Sequence, residues 1–435
     1  MTAVTNRRIW AISWPIILSN ASIPLLGAVD TAVVGQMGAA APIGAVGLGA
    51  IILSSIYWIF GFLRMGTTGL AAQAHGAGNE SERAAILFRA LLIGLGAGAL
   101  IILAQVIIIW GAFLLAPASD TVETLAREYL SIRIWGAPAT IALYAVNGWL
   151  IAVERTRSIL FLQLSISGLN AFLDVVFVLG LGGGVAGVAS ATLIAEWTGL
   201  GIGLWLCRDA IIGLWTQAIQ RISDADALRR MLAVNGGIML RTVLLQAAFT
   251  SFLFLSAGQG DEELAANQVL MQFLSIMSYA LDGFAFSAET LVGQTVGARQ
   301  RSELERATQL SMRWGLGGSV LLAGVFWLGG GAIIDVMTTA PDVRSLAREF
   351  LPWVVLAPIL GIISWIYDGI FIGATASRAM VLCMAISVAV YGLSLFVLLP
   401  MAGNHGLWAA LMLLFVLRAA TAHAFWPGIK RDLRI

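Results

Sequence analysis

Twelve apolar stretches, each of 22 residues or more, run through this 435-residue chain at about 12–36, 44–70, 86–116, 128–153, 159–180, 185–207, 231–257, 264–293, 307–337, 347–374, 379–400 and 405–426. Each can cross a hydrocarbon core of roughly 30 Å as a helix. Inside such a core every backbone polar group must find a partner, which leaves helices and closed barrels as the spanning forms. Strand-like alternation is absent, which argues against an outer-membrane barrel. With 59% hydrophobic and only 11% charged residues, the chain reads as far more apolar than a soluble domain. The expected fold is an all-α integral membrane protein of twelve transmembrane helices.

Charge placement orients those helices. Basic residues gather at the N-terminus (Arg7, Arg8), at the C-terminus (Lys430, Arg431, Arg434) and in or beside every second connection (Arg83 and Arg89, Arg155 and Arg157, Arg229 and Arg230, Arg299, Arg301 and Arg306). The alternate connections hold Asp120, Glu123, Asp261 to Glu263 and Asp342. The positive-inside rule then places both termini in the cytoplasm, as an even number of spans requires, in a bacterial inner membrane. The first apolar run is too long for a signal-peptide core, so no cleavable leader is expected. Two cysteines, three scattered histidines and the lack of HExxH, Walker A or GxSxG patterns point to no enzyme, no metal site and no cofactor. The expected surroundings are a lipid bilayer and small molecules, with no nucleic acid, around a monomer.

The chain also repeats itself at an offset of 221 residues. Leu125 to Leu130 (LAREYL) returns as Leu346 to Leu351 (LAREFL). Gln73, Gly76 and Ala77 meet Gln294, Gly297 and Ala298, Ser81-Glu82 meets Ser302-Glu303, Asn147-Gly148 meets Asp368-Gly369, and Arg157 meets Arg378. Six spans per copy keep the second copy in the orientation of the first, which is a parallel repeat about an axis along the membrane normal. The expected organisation is an N-terminal lobe at 1–207, an amphipathic cytoplasmic linker at 208–230 and a C-terminal lobe at 231–435. Two such lobes imply a central cavity and alternating access, the usual device of a secondary transporter. The chain has no ATP-binding domain, so an ion gradient is the expected source of energy.

Two acids carry most of the functional signal. Asp30 and Asp174 each lie inside an apolar span, at a cost of roughly 2.5–3.5 kcal/mol per group on insertion scales. Asn170 precedes Asp174 by one helical turn and shares its face. Thr192 falls near the start of the next span, so all four groups reach similar depth in the outer half of the first lobe. Burial disfavours a charged carboxylate, and a second carboxylate nearby disfavours it again, so such a pair can take up and release a proton. The same oxygens, with an amide and a hydroxyl, can instead hold Na⁺. Pro15, Pro24 and Gly27 weaken the first span as a helix, which lets a change of charge at Asp30 alter its course. The plainer reading is that both acids only hydrogen-bond neighbouring helices.

At these residues the chain resembles the multidrug and toxic compound extrusion (MATE) transporters, and their DinF-like branch in particular. The resemblance covers all twelve spans and matches Asp30, Asn170, Asp174 and Thr192 to the branch's first-lobe ion site. It adds Asn147 in the fourth span and gives Pro15 the role of the first-span kink. It implies export of organic, mostly cationic and amphipathic compounds in exchange for H⁺ or Na⁺. The NorM-like branch places a Glu in the seventh span. Here that span has no acid and carries Arg241 instead, which puts coupling in the first lobe.

In the second lobe, Asp282, Glu289 and Asp368 either line the cavity and attract cations or pair with membrane arginines such as Arg64 and Arg241. Glu196 has the same second option. Tyr144, Met239 and Met277, with Trp58, Met271, Phe273 and Trp365, either form an adaptable drug surface or pack against helices and lipid. The competing functions are a lipid-linked oligosaccharide or polysaccharide flippase, which the membrane arginines favour, and a scaffold without transport, for which the acid pair has no use.

Overall fold

The computed structural model describes residues 3–36, 40–115, 118–213 and 220–433, with residues 23–31 and 115 described by backbone alone. It is 91% helical, and among the described residues there is no strand. The helices are α1 (Asn6–Gly35), α2 (Ala40–Ile59), α3 (Gly61–Gly76), α4 (Glu80–Leu103), α5 (Gln105–Leu115), α6 (Asp120–Arg133), α7 (Ala137–Ala152), α8 (Thr156–Asp174), α9 (Gly184–Leu206), α10 (Arg208–Ile211), α11 (Ala225–Ala257), α12 (Asp261–Gly297), α13 (Arg301–Met337), α14 (Pro341–Gly373) and α15 (Ser377–Asp432).

Among the described residues ten helical segments are long and apolar enough to cross a membrane. One of them, α15, is bent open at Gly403 (φ 53°, ψ −131°) into two legs. The second leg and the 30-residue α1 complete the expected twelve. Helix starts follow from local chemistry. The Asn79 side chain accepts from the Glu82 amide at 3.1 Å, and Glu80 and Glu82 place negative charge in the first turn of α4, where it complements the helix dipole.

The sequence repeat is built into the backbone. Residues in the left-handed region occur at Gly78, Glu154 and Gly182, and 221 positions later at Arg299, Thr375 and Gly403. Three of these six are not glycine, and each such residue costs roughly 1–2 kcal/mol. The helix packing repeats too. In the first half α7 packs on α3 and α4; in the second, α14 packs on α12 and α13. A Cβ on Gly148 would overlap the carbonyl oxygen of Arg64, and one on Gly369 would overlap that of Ala285, the residue equivalent to Arg64. Close backbone approach through small residues is the expected way to join helices in lipid.

The chain divides into two compact units, Leu18–Met231 and Leu232–Ile435, with Met1–Ile17 belonging to the second. That last assignment departs from the expected boundary at 1–207. The reason is specific: the Val4 amide donates to Glu303 Oε2 at 2.6 Å, Trp314 Nε1 donates to Asn6 Oδ1 at 3.0 Å, and Trp10 stacks on Trp314 at 5.5 Å. Gly283 leaves room for the Ser13 carbonyl and the Ile17 side chain. Residues 214–219 of the expected linker lie outside the described residues. The segment after them is tied to the first unit by buried Arg89, which pairs with Glu82 at 2.8 Å and donates to the Ile222 and Arg221 carbonyls.

Candidate ion site and polar cores of the two lobes

In the first unit α8 runs to Asp174 and then widens into a π-helical turn, Val175–Gly180, before the left-handed Gly182 ends it. A widened turn of this kind often marks a functional site. Asn170 and Asp174 are both fully buried, at 0% exposure. Asn170 Nδ2 donates to Asp174 Oδ2 at 2.5 Å. The two residues share one helix face, as their four-residue spacing predicts.

Thr192, half-buried on α9, donates its hydroxyl to the Val188 carbonyl of its own helix at 3.1 Å. Only its lone pairs then remain to accept or to coordinate. Asn147 is half-buried on α7, and among the described residues its buried Oδ1 has no hydrogen-bond partner. Tyr144 lies half-buried one turn earlier. The Asp30 side chain lies outside the described residues. Pro15 is a buried member of α1 within the segment that groups with the second unit.

The first unit holds a second, largely enclosed acid, which is paired. Arg133 and Glu196 form a two-pronged ion pair, Nη1 to Oε2 at 2.6 Å and Nη2 to Oε1 at 2.9 Å, between α6 and α9. A Cβ on Gly136 would overlap Glu196 Oε2, so the glycine makes room for the carboxylate. The sequence offers the reading that Glu196 pairs with a membrane arginine; the partner is Arg133.

In the second unit Asp368 is held by two guanidinium groups. Arg418 Nη2 donates to Asp368 Oδ2 at 2.6 Å, and Arg241 Nη2 donates to the same oxygen. Of the two readings open for Asp368, pairing is the one observed. Glu289 is buried on α12, and Asp282 is half-buried two turns earlier on the same face. Met277 is buried within the unit, while Met239 is exposed on α11. Gln294 receives a bond from Arg8 Nη2 at 2.5 Å, a further tie of the N-terminal segment to this unit. Sequence reasoning missed one polar cluster here. Asn267 donates to Ser256 Oγ and Asn404 Oδ1, both at 2.6 Å, and accepts from Trp408 Nε1 at 2.8 Å. This network pins the start of the second α15 leg to α11 and α12. Among the described residues no group of three His, Cys, Asp or Glu side chains is placed to hold a metal.

A family model described as MatE matches the chain twice, over residues 15–176 and 237–398, the two matches tracking the internal repeat. The chain is 40% identical over 424 residues to the DNA damage-inducible protein F of Escherichia coli K12, covering 97% of this chain and 92% of that one. It is 24% identical to a probable multidrug resistance protein NorM of Neisseria meningitidis, over 79% of this chain and 76% of that one. Among solved structures, the Vibrio cholerae MATE transporter VcmN in its bent form superposes with a TM-score of 0.85 at 22% identity, covering 99% and 97% of the two chains. A MOP superfamily transporter from Pyrococcus furiosus, described as having a binding pocket of reverse polarity, superposes with a TM-score of 0.86 at 18% identity, covering 99% and 97%.

Proposed function

Because this chain belongs to the MatE family of membrane transporters, we propose that it exports small organic compounds, mostly cationic amphiphiles, by antiport with protons and alternating access of its two lobes. The observation that carries the reading is the buried Asn170–Asp174 pair, closed by a 2.5 Å bond in a span that otherwise faces lipid and helices. A carboxylate there is too costly to keep for packing alone. Asp30, equivalent in expected depth, is the second carboxylate of the proposed site, and Thr192 and Asn147 supply oxygens beside it. Two carboxylates that approach each other relieve their repulsion by sharing a proton. Sodium is the alternative ion, with Asn170 and Thr192 completing its shell.

Proton uptake would remove the charge that the Asn170 amide answers and change how α8 and α1 pack. Cargo release then follows from the altered lobe. The setting is a bacterial inner membrane with both termini cytoplasmic and a monomeric protein. The test is efflux of a fluorescent organic cation from proteoliposomes under separately imposed pH and Na⁺ gradients. Efflux driven by a pH gradient in Na⁺-free buffer is expected. Efflux only under a Na⁺ gradient reverses the ion assignment, and none under either removes the antiport reading.

A further inference from the structure

We propose that the second lobe carries a binding site for an organic carboxylate, formed by Arg241 and Arg418 around Asp368 and walled by Phe249, Trp365 and Phe415. The charge count leads to this. Arg241 and Arg418 have side chains only 8% and 3% exposed, and both donate to one carboxylate oxygen, Asp368 Oδ2. Among the described residues, the ion pair of Arg241 and the ion pair of Arg418 are both made with Asp368. One carboxylate therefore faces two guanidiniums, and a unit of positive charge is left over among membrane helices. A buried charge without a counterion costs several kcal/mol even after relaxation. A ligand anion would remove that cost.

Donor geometry agrees with the charge. Each guanidinium offers five N–H groups in a fixed fork suited to two-pronged carboxylate binding. Asp368 uses one oxygen for both forks. Arg241 Nε and Arg418 Nη1 are buried and have no hydrogen-bond partner among the described residues. Asp368 is the open member of the trio, with 23% of its side chain exposed. A ligand carboxylate arriving on that side brings two oxygens and can engage both arginines at once.

The wall sets the rest of the ligand. Arg418 lies over the Trp365 ring at 5.0 Å, a cation–π contact that fixes its plane. Trp365 packs edge-on against Phe415 at 5.3 Å, and Phe415 meets Phe249 at 6.4 Å. Phe249 and Trp365 are half-buried, and Arg418, which touches both Trp365 and Asp368, joins this aromatic group to the carboxylate. The fit is to an aromatic or bulky apolar carboxylate, including a zwitterion that also bears a cationic amine. As cargo, such a ligand rests on the transporter reading above; as a ligand it does not.

Binding is therefore measured without any gradient, by titration calorimetry and thermal shift on the full chain in nanodiscs, with 2-naphthoate, the neutral 2-naphthamide and acetate as probes. Naphthoate is expected to bind at least tenfold more tightly than either of the others. Arg241→Gln and Arg418→Gln should each weaken it by tenfold or more, and Asp209→Asn, at an exposed ion pair of the first unit, should leave it unchanged. Asp368→Asn is the decisive variant. It should lower the Tm of the ligand-free protein and tighten naphthoate binding by about tenfold, with naphthoate restoring the Tm. A trio that is purely structural gives no such rescue. Equal binding of the amide and the carboxylate, or of acetate and naphthoate, or no gain in Asp368→Asn, overturns the proposal. Because no gradient is involved, loss of binding leaves the efflux result standing, and the reverse also holds.

Discussion

Glu196→Leu should destabilise the first lobe far more than a surface substitution, and Arg133→Leu on top of it should restore most of the loss. The two side chains are 9% and 12% exposed and meet through two bonds of 2.6 and 2.9 Å, so solvent screens them little. Removing one partner of a buried pair leaves a buried charge and costs about 3–5 kcal/mol, whereas replacing both with apolar residues of similar volume is often neutral or stabilising. For a unit of this size, 1 kcal/mol moves the midpoint by about 2–4 °C, so the single variant should melt roughly 6–20 °C below the wild type. Gly136 stays in both variants, so the space vacated by the carboxylate is filled by leucine. The assay is tryptophan fluorescence against temperature in detergent, for Glu196→Leu, Arg133→Leu and the double variant. A double variant no more stable than the singles would show that the pair's contribution is not electrostatic, and the reasoning would fail. Efflux by the double variant at near wild-type level is also expected, because this pair is assigned no part in coupling.

Asp174→Asn should abolish pH-driven efflux while the protein still inserts and folds, since the amide can keep the bond to Asn170; at one proton per cargo molecule, a tenfold concentration ratio per pH unit, about 1.4 kcal/mol, is lost. Asp30→Asn should behave alike, and Asn170→Ala and Thr192→Ala should reduce rate without uncoupling; a Thr192→Ala protein as inactive as Asp174→Asn would favour direct Na⁺ ligation. Gly148→Ala and Gly369→Ala each push a methyl into a carbonyl oxygen of the neighbouring helix and should each cost about 1–3 kcal/mol, read as a lower midpoint; no change in either would contradict the close-packed interfaces. Arg155 donates to Asp209 Oδ2 at 2.7 Å and holds its carboxyl below the usual carboxylate range. A depressed folded-state value means the contribution is present above the unfolded value near 3.9 and fades as pH falls through the lower one. The pair is solvent-exposed, so Asp209→Asn should shift stability little at pH 7, and a large loss there would be unexpected.

The twelve spans and the repeat were legible because both rest on local information: apolar length and residues retained in each copy. Asn170 and Asp174 were legible because a four-residue spacing on one helix fixes a shared face. Three features were not. Glu196 has Arg133 as its partner across 63 positions, and no periodicity encodes which of several membrane arginines will reach it. For Asp368 the sequence leaves cavity lining and pairing with a membrane arginine equally open, and no spacing singles out its two partners, Arg418 at 50 positions and Arg241 at 127. The first turns of α1 belong to the second unit through Val4, Asn6 and Trp10, contacts made by residues that look like an ordinary polar leader into a span. In each case the deciding fact is tertiary proximity, which a single sequence does not record.

The left-handed turns at Gly78, Glu154 and Gly182 and their counterparts at Arg299, Thr375 and Gly403 imply that duplication preserved the frame while freeing the chemistry. Asp174 aligns with Leu395, Arg133 with Val354 and Glu196 with Leu417; in the other direction, Arg241 aligns with Asn20 and Arg418 with Trp197. Turn geometry persists without glycine: Arg299 stands where the first copy has Gly78, and Glu154 and Thr375 hold the same turn with no glycine in either copy. A chain assembled from two identical first halves should therefore inherit every corner the fold needs, yet lose the specialisation of its halves: two acid-bearing lobes and no pair of arginines around one acid.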